Sequence, residues 1–115
     1  MEQIYNKLVR DRIPEIIEIN GEKPFVRILS DEEYKQELEK KLLEEYNEVI
    51  KAKESEERVE ELADMLEVII SLSKLENRTL DDIIQIAKVK KEKHIKEGYL
   101  VILLKIIIVC IEILV

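Results

Sequence analysis

Two pairs of carboxylates, each with the spacing of neighbours on a helix, are the residues of this sequence best suited to chemistry. Glu45 and Glu48 are three residues apart, and Glu61 and Asp64 repeat that spacing after twelve intervening residues. Residues three apart project from one surface of a helix. Each pair therefore presents two carboxylates together, and a turn between two helices would bring both pairs to one place.

Glu45 stands where a core residue would be expected. Wound at about 100° per residue, it falls in the middle of an apolar stripe formed by Leu38, Leu42, Val49 and Ala52. Glu61 lies within a wide apolar arc, Asp64 lies at the border of that arc, and Glu67 is one turn further on.

Burying an unpaired carboxylate costs free energy, and four carboxylates close together repel each other. Such a cluster is tolerable if it binds a divalent cation, and hard oxygen ligands favour Mg²⁺ or Mn²⁺. It is equally tolerable if the surface is open to water, in which case there is no site. The residues alone leave both readings open.

The two carboxylate pairs lie in two long predicted helices. Ser30 and Glu33 form a capping box that opens the first helix, which extends to about Lys53. Ser55 is expected to cap the second helix, which runs to about Glu76. The short connection between them favours antiparallel packing.

Shorter elements flank these two helices. Pro14 in a first turn and the Asn20-Gly21 pair as a stop predict a short N-terminal helix. Residues 23–29, "KPFVRIL", are predicted to be extended, as a brief strand or an arm. A third long helix is expected to start at Thr79 and to end near Gly98.

The second long helix has more apolar surface than one neighbour can cover. Its main inward stripe is predicted to consist of Val59, Leu62, Leu66, Ile69, Ile70 and Ser73. Apolar surface left uncovered, at Val68, Leu72, Leu75 and the apolar C-terminal residues 99–115, favours a homo-oligomer with a dimer as its smallest unit. The predicted fold is therefore all-α: an antiparallel helical bundle with two long metal-binding helices, a short N-terminal helix and an extended arm.

Composition limits the class of protein. The chain has 115 residues and a net charge of -7, which predicts one helical domain over residues 1–98 and disfavours binding to DNA or RNA. Residues 99–115 form an apolar tail that is shorter than a membrane span and carries two charges, so membrane contact is less expected than burial in a core or interface. A single cysteine and an N-terminus without an apolar signal core predict a cytoplasmic protein.

The acidic motifs occur in a recognisable setting. Two sequence stretches precede the acidic motifs: "YNKLVRDRIPEII" near the N-terminus and "ILSDEEYKQELEKKLLEE" at the start of the first long helix. The acidic motifs themselves are "EEYNE" at 44–48 and "EELAD" at 60–64. Together these resemble the MazG-like, all-α nucleoside triphosphate pyrophosphohydrolases, whose relatives include phosphoribosyl-ATP pyrophosphohydrolase. The resemblance covers roughly residues 4–93.

The resemblance implies a Mg²⁺-dependent reaction that cuts a nucleoside triphosphate between its α and β phosphates, giving a monophosphate and pyrophosphate. It implies dimers or tetramers, and it makes Glu45, Glu48, Glu61 and Asp64 the metal ligands. Basic residues should hold the phosphates, and the candidates are Arg10, Lys41, Lys90 and Lys91. Two other readings remain: phosphoribosyl-ATP hydrolysis in histidine biosynthesis, and a non-catalytic helical module whose acidic face binds a basic partner.

Overall fold

The protein is all-helical over the residues that the structure describes. The computed structural model describes residues 6–96, with side chains for residues 6–93. It contains the helices α1 (Ile13–Ile19), α2 (Asp31–Lys51), α3 (Ser55–Leu75) and α4 (Leu80–Lys96), and no strand within residues 6–96. The predicted all-α class is confirmed. The predicted end of the last helix near Gly98 and the apolar tail 99–115 lie outside the described residues.

Contacts divide the chain into two compact units. The first, Met1–Asn77, contains α1, α2 and α3, and the second, Arg78–Val115, contains α4. In the first unit α2 and α3 pack against each other, and these two helices hold the acidic motifs.

The N-terminal elements follow the local sequence signals. Pro14 lies in the first turn of α1, where its missing N–H breaks no helical hydrogen bond. Gly21 follows the helix with a φ of 84°, a left-handed conformation that glycine adopts without steric cost. Residues 22–30 have no regular secondary structure, so this segment is an arm and not a strand.

The capping box at the start of α2 is present as predicted. The Ser30 hydroxyl accepts a hydrogen bond from the Glu33 backbone N–H at 3.3 Å, and the Glu33 carboxylate accepts one from the Ser30 N–H at 3.3 Å. Arg27 in the arm donates to both Glu33 oxygens at 3.1 and 2.9 Å. The Arg27 hydrogen bond, followed by the Ser30 backbone and side-chain hydrogen bonds, lowers the pKa of Glu33. The arm is thereby attached to the first turn of α2.

The turn between α2 and α3 is closed by a side chain that the sequence did not single out. Ala52 is buried at the end of α2, and the Arg58 guanidinium donates to the Ala52 carbonyl at 2.6 Å. The prediction that Ser55 caps α3 is wrong, since Ser55 is already helical and Glu54 precedes the helix without a side-chain cap. With three residues between them, the packed helices form an antiparallel hairpin.

The core of the hairpin is small. Its buried apolar residues, within the described part of the chain, are Leu38, Ala52 and Val68. The buried Ser73 satisfies its hydroxyl by donating to the Ile69 carbonyl at 2.7 Å, which fits its predicted inward place.

The inward stripe predicted for α3 is wrong in part. Val59, Leu62 and Leu66 are exposed, whereas Val68, expected to remain uncovered, is buried. Helical periodicity identifies residues that share a face, but in a hairpin only one side of α3 meets α2.

Helix α4, in the second unit, begins with reciprocal capping hydrogen bonds like those at the start of α2. The Thr79 hydroxyl accepts from the Asp82 N–H at 3.2 Å, and the Asp82 carboxylate accepts from the Thr79 N–H at 2.8 Å. The Thr79 backbone and side-chain hydrogen bonds lower the pKa of Asp82. The predicted start of this helix is confirmed. Between residues 6 and 96, no helix combines the length and the apolar character that a bilayer crossing requires.

Candidate metal site

The hairpin brings together acidic residues from both of its helices. Carboxylate oxygens of Glu45 on α2 and of Glu61 and Asp64 on α3 all lie within 4.8 Å of one another. Glu45 is only 8% exposed. It lies two turns from both Leu38 and Ala52, which are buried on the same side of α2, so the packing that forms the hairpin also buries this carboxylate.

The charged form of Glu61 is disfavoured by this arrangement. Burial raises the pKa of Glu61, and the negative charges of Asp64, Glu45 and Glu48 raise it further. Among the described residues, Glu61 has no ion pair and no side-chain hydrogen bond. It is therefore the member of the cluster whose charge is compensated least.

Lys41 partly neutralises the α2 side of the cluster. Its ammonium lies 3.4 Å from Glu45 Oε1, one turn along the helix, and 3.2 Å from Glu44 Oε1. Burial alone would lower the pKa of Lys41, but its hydrogen bonds and charge interactions with Glu44 and Glu45 raise it overall. The i, i+4 spacing of Lys41 and Glu45 is visible in the sequence and predicts this pair.

Arg10 neutralises the α3 side from a distant part of the chain. Its Nη2 atom donates to Asp64 Oδ1 at 3.1 Å and to Glu67 Oε2 at 2.6 Å. Arg10 precedes α1 and lies 54 positions before Asp64, so no local spacing rule could have found the contact. Glu67, one turn beyond Asp64, is therefore paired with this guanidinium.

The remaining predicted site residues are not part of the three-carboxylate cluster. Glu48 is exposed on α2, one turn beyond Glu45, and it acts on Glu61 through its charge. Lys90 and Lys91 are exposed on α4, in the second unit. Their contact with substrate phosphates stays a prediction, as does that of Arg10 and Lys41.

The donor set of the cluster fits a hard divalent cation. Mg²⁺ binds oxygen at about 2.1 Å, so two of its ligand oxygens lie at most about 4.2 Å apart. Adjacent ligand oxygens of an octahedral ion lie only about 3.0 Å apart, and three oxygens cannot all be opposite one another. The oxygens of Glu45, Glu61 and Asp64, which lie within 4.8 Å of each other, would therefore need to approach by up to about 1.8 Å, which requires rotation of the side chains. Exposed acidic groups without a cation are also common, so the geometry permits a site without identifying one.

Comparison with known proteins adds one short similarity. Over 43 residues the chain is 54% identical to an uncharacterized protein of Mycolicibacterium smegmatis, a stretch that covers 37% of this chain and 44% of that protein. The match thus spans less than half the length of the relative. No family model matches the chain, and no solved structure is significantly similar to it. Membership of the MazG-like family therefore stays a prediction from the motifs.

Proposed function

We propose that this protein is a Mg²⁺-dependent nucleoside triphosphate pyrophosphohydrolase of the MazG-like kind, acting on standard or non-standard nucleotides. The observation that carries the proposal is the approach of Glu45, Glu61 and Asp64 from two helices to within 4.8 Å. Glu61 supports it further, because its pKa is raised by burial and by neighbouring acids, as expected where a positive charge is to be bound.

The acidic residues would have two roles in the reaction: holding the cation and accepting a proton. Glu45, Glu61 and Asp64 would hold Mg²⁺, with Mn²⁺ as a substitute, and Glu48 is the fourth acid at the exposed rim. The cation, when bound, neutralises phosphate charge and makes water more acidic. The oxygen of one water would form a bond to one of the two phosphorus atoms as the bridging P–O bond between the α and β phosphates breaks, which releases a monophosphate and pyrophosphate. A carboxylate not bound to the cation would accept the proton of the water.

Basic side chains complete the proposed site by binding the phosphates. Lys41 is already within 3.4 Å of Glu45. Arg10 pairs with Asp64 at 3.1 Å and would reach the phosphates only after leaving that carboxylate.

The test is a nucleotide panel with Mg²⁺ and product analysis. The expected products are a monophosphate and pyrophosphate, and turnover should fall at least about a hundredfold in Glu45→Gln and Asp64→Asn, since each removes a charged ligand. Glu39→Gln is the matched control, because Glu39 is exposed on the same helix. Release of orthophosphate, or unchanged turnover in the two site variants, would contradict the proposal.

A homo-oligomer is the second part of the proposal. Exposed apolar residues occur on both hairpin helices with the spacing i, i+3, i+7, and we call them together the apolar face: Leu43, Tyr46 and Ile50 on α2, and Val59, Leu62 and Leu66 on α3. A core of three buried apolar residues in the described chain is small, so covering this face with a second copy would add substantially to stability.

The apolar face and the acidic residues lie on opposite sides of the hairpin. Successive residues of an α-helix are rotated by about 100° around the helix axis. The exposed apolar stripe of each helix is therefore rotated by roughly 130° from the side that faces the other helix, in the direction of increasing residue number. In an antiparallel pair the same rotation on each helix leads to the same side. Glu48, Asp64 and Glu67 are rotated in the reverse direction. A second copy on the apolar face would therefore leave the acidic side accessible to a nucleotide.

A further inference from the structure

We propose that Arg10 competes with the cation for Asp64, so that the segment of residues 6–12 before α1 is docked on the hairpin without a cation and is released when the cation binds. This inference rests on the proposed function, since it concerns the same cluster. It adds a positioning role for a residue outside the hairpin and a link between cation binding and the N-terminal segment.

The contacts of Arg10 carry the argument. A single guanidinium nitrogen, Nη2, donates to Asp64 at 3.1 Å and to Glu67 at 2.6 Å. Asp64 also contributes an oxygen to the cluster with Glu45 and Glu61. A guanidinium and a divalent cation on the same carboxylate repel each other, so each weakens the binding of the other.

The pair has the properties of a replaceable contact. The Arg10 side chain is 68% exposed, and the side chains of Asp64 and Glu67 are 41% and 58% exposed. Exposed ion pairs of this kind are weak and screened by salt. A divalent cation held by three carboxylates has the larger charge and more ligands, and it would displace the guanidinium from Asp64.

Displacement of Arg10 would be transmitted to α1 through the backbone. The Arg10 carbonyl accepts a hydrogen bond from the Ile13 N–H, the first residue of α1, at 3.0 Å. Arg10 is thus tied by a turn to the start of that helix. Because coupling between two binding events is reciprocal, a cation that weakens docking of the segment is itself bound more weakly while the segment is docked.

Cation titration of the full chain tests the first half of this coupling. Mn²⁺ binding is measured by calorimetry for the wild type, for Arg10→Gln and for Arg12→Gln. Arg12 is the matched control, because it carries the same charge two residues away and pairs with Glu15 at 3.2 Å. Removing an exposed competing pair is expected to tighten Mn²⁺ binding about two- to fivefold in Arg10→Gln and to leave Arg12→Gln unchanged. A static supporting role for Arg10 predicts the opposite sign, weaker binding, and that result overturns the proposal.

Limited trypsin digestion tests the second half. Cleavage after Arg12 should be faster with Mn²⁺ than with chelator in the wild type, and equally fast under both conditions in Arg10→Gln. A small peptide substrate checks that trypsin itself is unaffected by Mn²⁺. Cleavage in the wild type that is slowed or unchanged by the cation overturns the inference.

The two proposals fail in different ways. If the wild type does not bind Mn²⁺, or if Glu61→Gln binds it as well as the wild type does, then the proposed site is refuted and the Arg10 inference with it. If the wild type binds Mn²⁺ at the cluster but Arg10→Gln has the same affinity and the same digestion pattern, only the Arg10 inference is refuted.

Discussion

Replacing Glu61 by glutamine should change the stability of this protein in opposite directions with and without a cation. Without a cation, Glu61→Gln should be more stable than the wild type at neutral pH. The folded protein raises the pKa of Glu61 above its usual 4.5, through burial and the charges of Asp64, Glu45 and Glu48. The folded state therefore binds this proton more tightly than the unfolded chain does, and the free energy of unfolding decreases as the pH rises through the interval above 4.5.

With a cation, the order of stability should reverse. At a cation concentration of about 100 times the dissociation constant, binding stabilises the wild type by about 2.7 kcal/mol. At about 4 °C per kcal/mol for a chain of this size, the melting temperature should rise by about 10 °C. If the loss of one charged ligand weakens the site about a hundredfold, the same concentration stabilises Glu61→Gln by only about 0.4 kcal/mol, or less than about 2 °C.

Thermal unfolding followed by circular dichroism, in chelator and in Mg²⁺ or Mn²⁺, measures both effects. Glu39→Gln, an exposed acid on α2, should respond to the cation as the wild type does. A wild type that melts at one temperature under both conditions would refute the cation site. A Glu61→Gln variant less stable than the wild type in chelator would refute the electrostatic reasoning.

Three further predictions concern the scaffold. Leu38→Ala, at a position 3% exposed, should lower the free energy of unfolding by about 2–5 kcal/mol in a urea titration, a large part of the total for so small a core. Ser30→Ala should cost about 1 kcal/mol in the same assay, because it removes the acceptor for the Glu33 N–H at the start of α2. Leu62→Lys on the apolar face should shift the protein towards the monomer in light scattering after gel filtration; an unchanged mass would show that the face is not the interface between copies.

Local signals in the sequence were sufficient for most helix boundaries. The Ser30–Glu33 box, Pro14 and the Thr79 cap each depend on side chains within three positions of one another, and each is present in the structure. Ser55 was misassigned because residue type alone does not determine which residue of a charged turn is extended. Here the turn is closed by a side-chain contact across it, from Arg58 to the Ala52 carbonyl six positions earlier.

The acidic cluster was predictable for a different reason. Glu45 repeats the positions of Leu38 and Ala52 at intervals of seven residues, so its burial follows from helical periodicity once α2 has a partner. The approach of Glu61 and Asp64 follows from the short antiparallel turn. The exposure of Val59, Leu62 and Leu66 did not follow, because a sequence pattern does not state how many of its apolar faces have partners.

The charge of Glu61 is disfavoured in the folded protein, and this bears on the role of the cluster. A neutral apolar residue at position 45 would extend the core formed by Leu38, Ala52 and Val68, whereas Glu45 is buried beside two more acids. Lys41 forms an ion pair with Glu45, and Arg10 forms one with Asp64. Glu61, the third acid of the cluster, has no ion pair within the described chain. Departures from good packing are expected where a residue serves binding and not stability. Burial and the repulsion from neighbouring acids together raise the pKa of Glu61. A cation between the three carboxylates would offset that repulsion, so binding and folding would favour the same geometry.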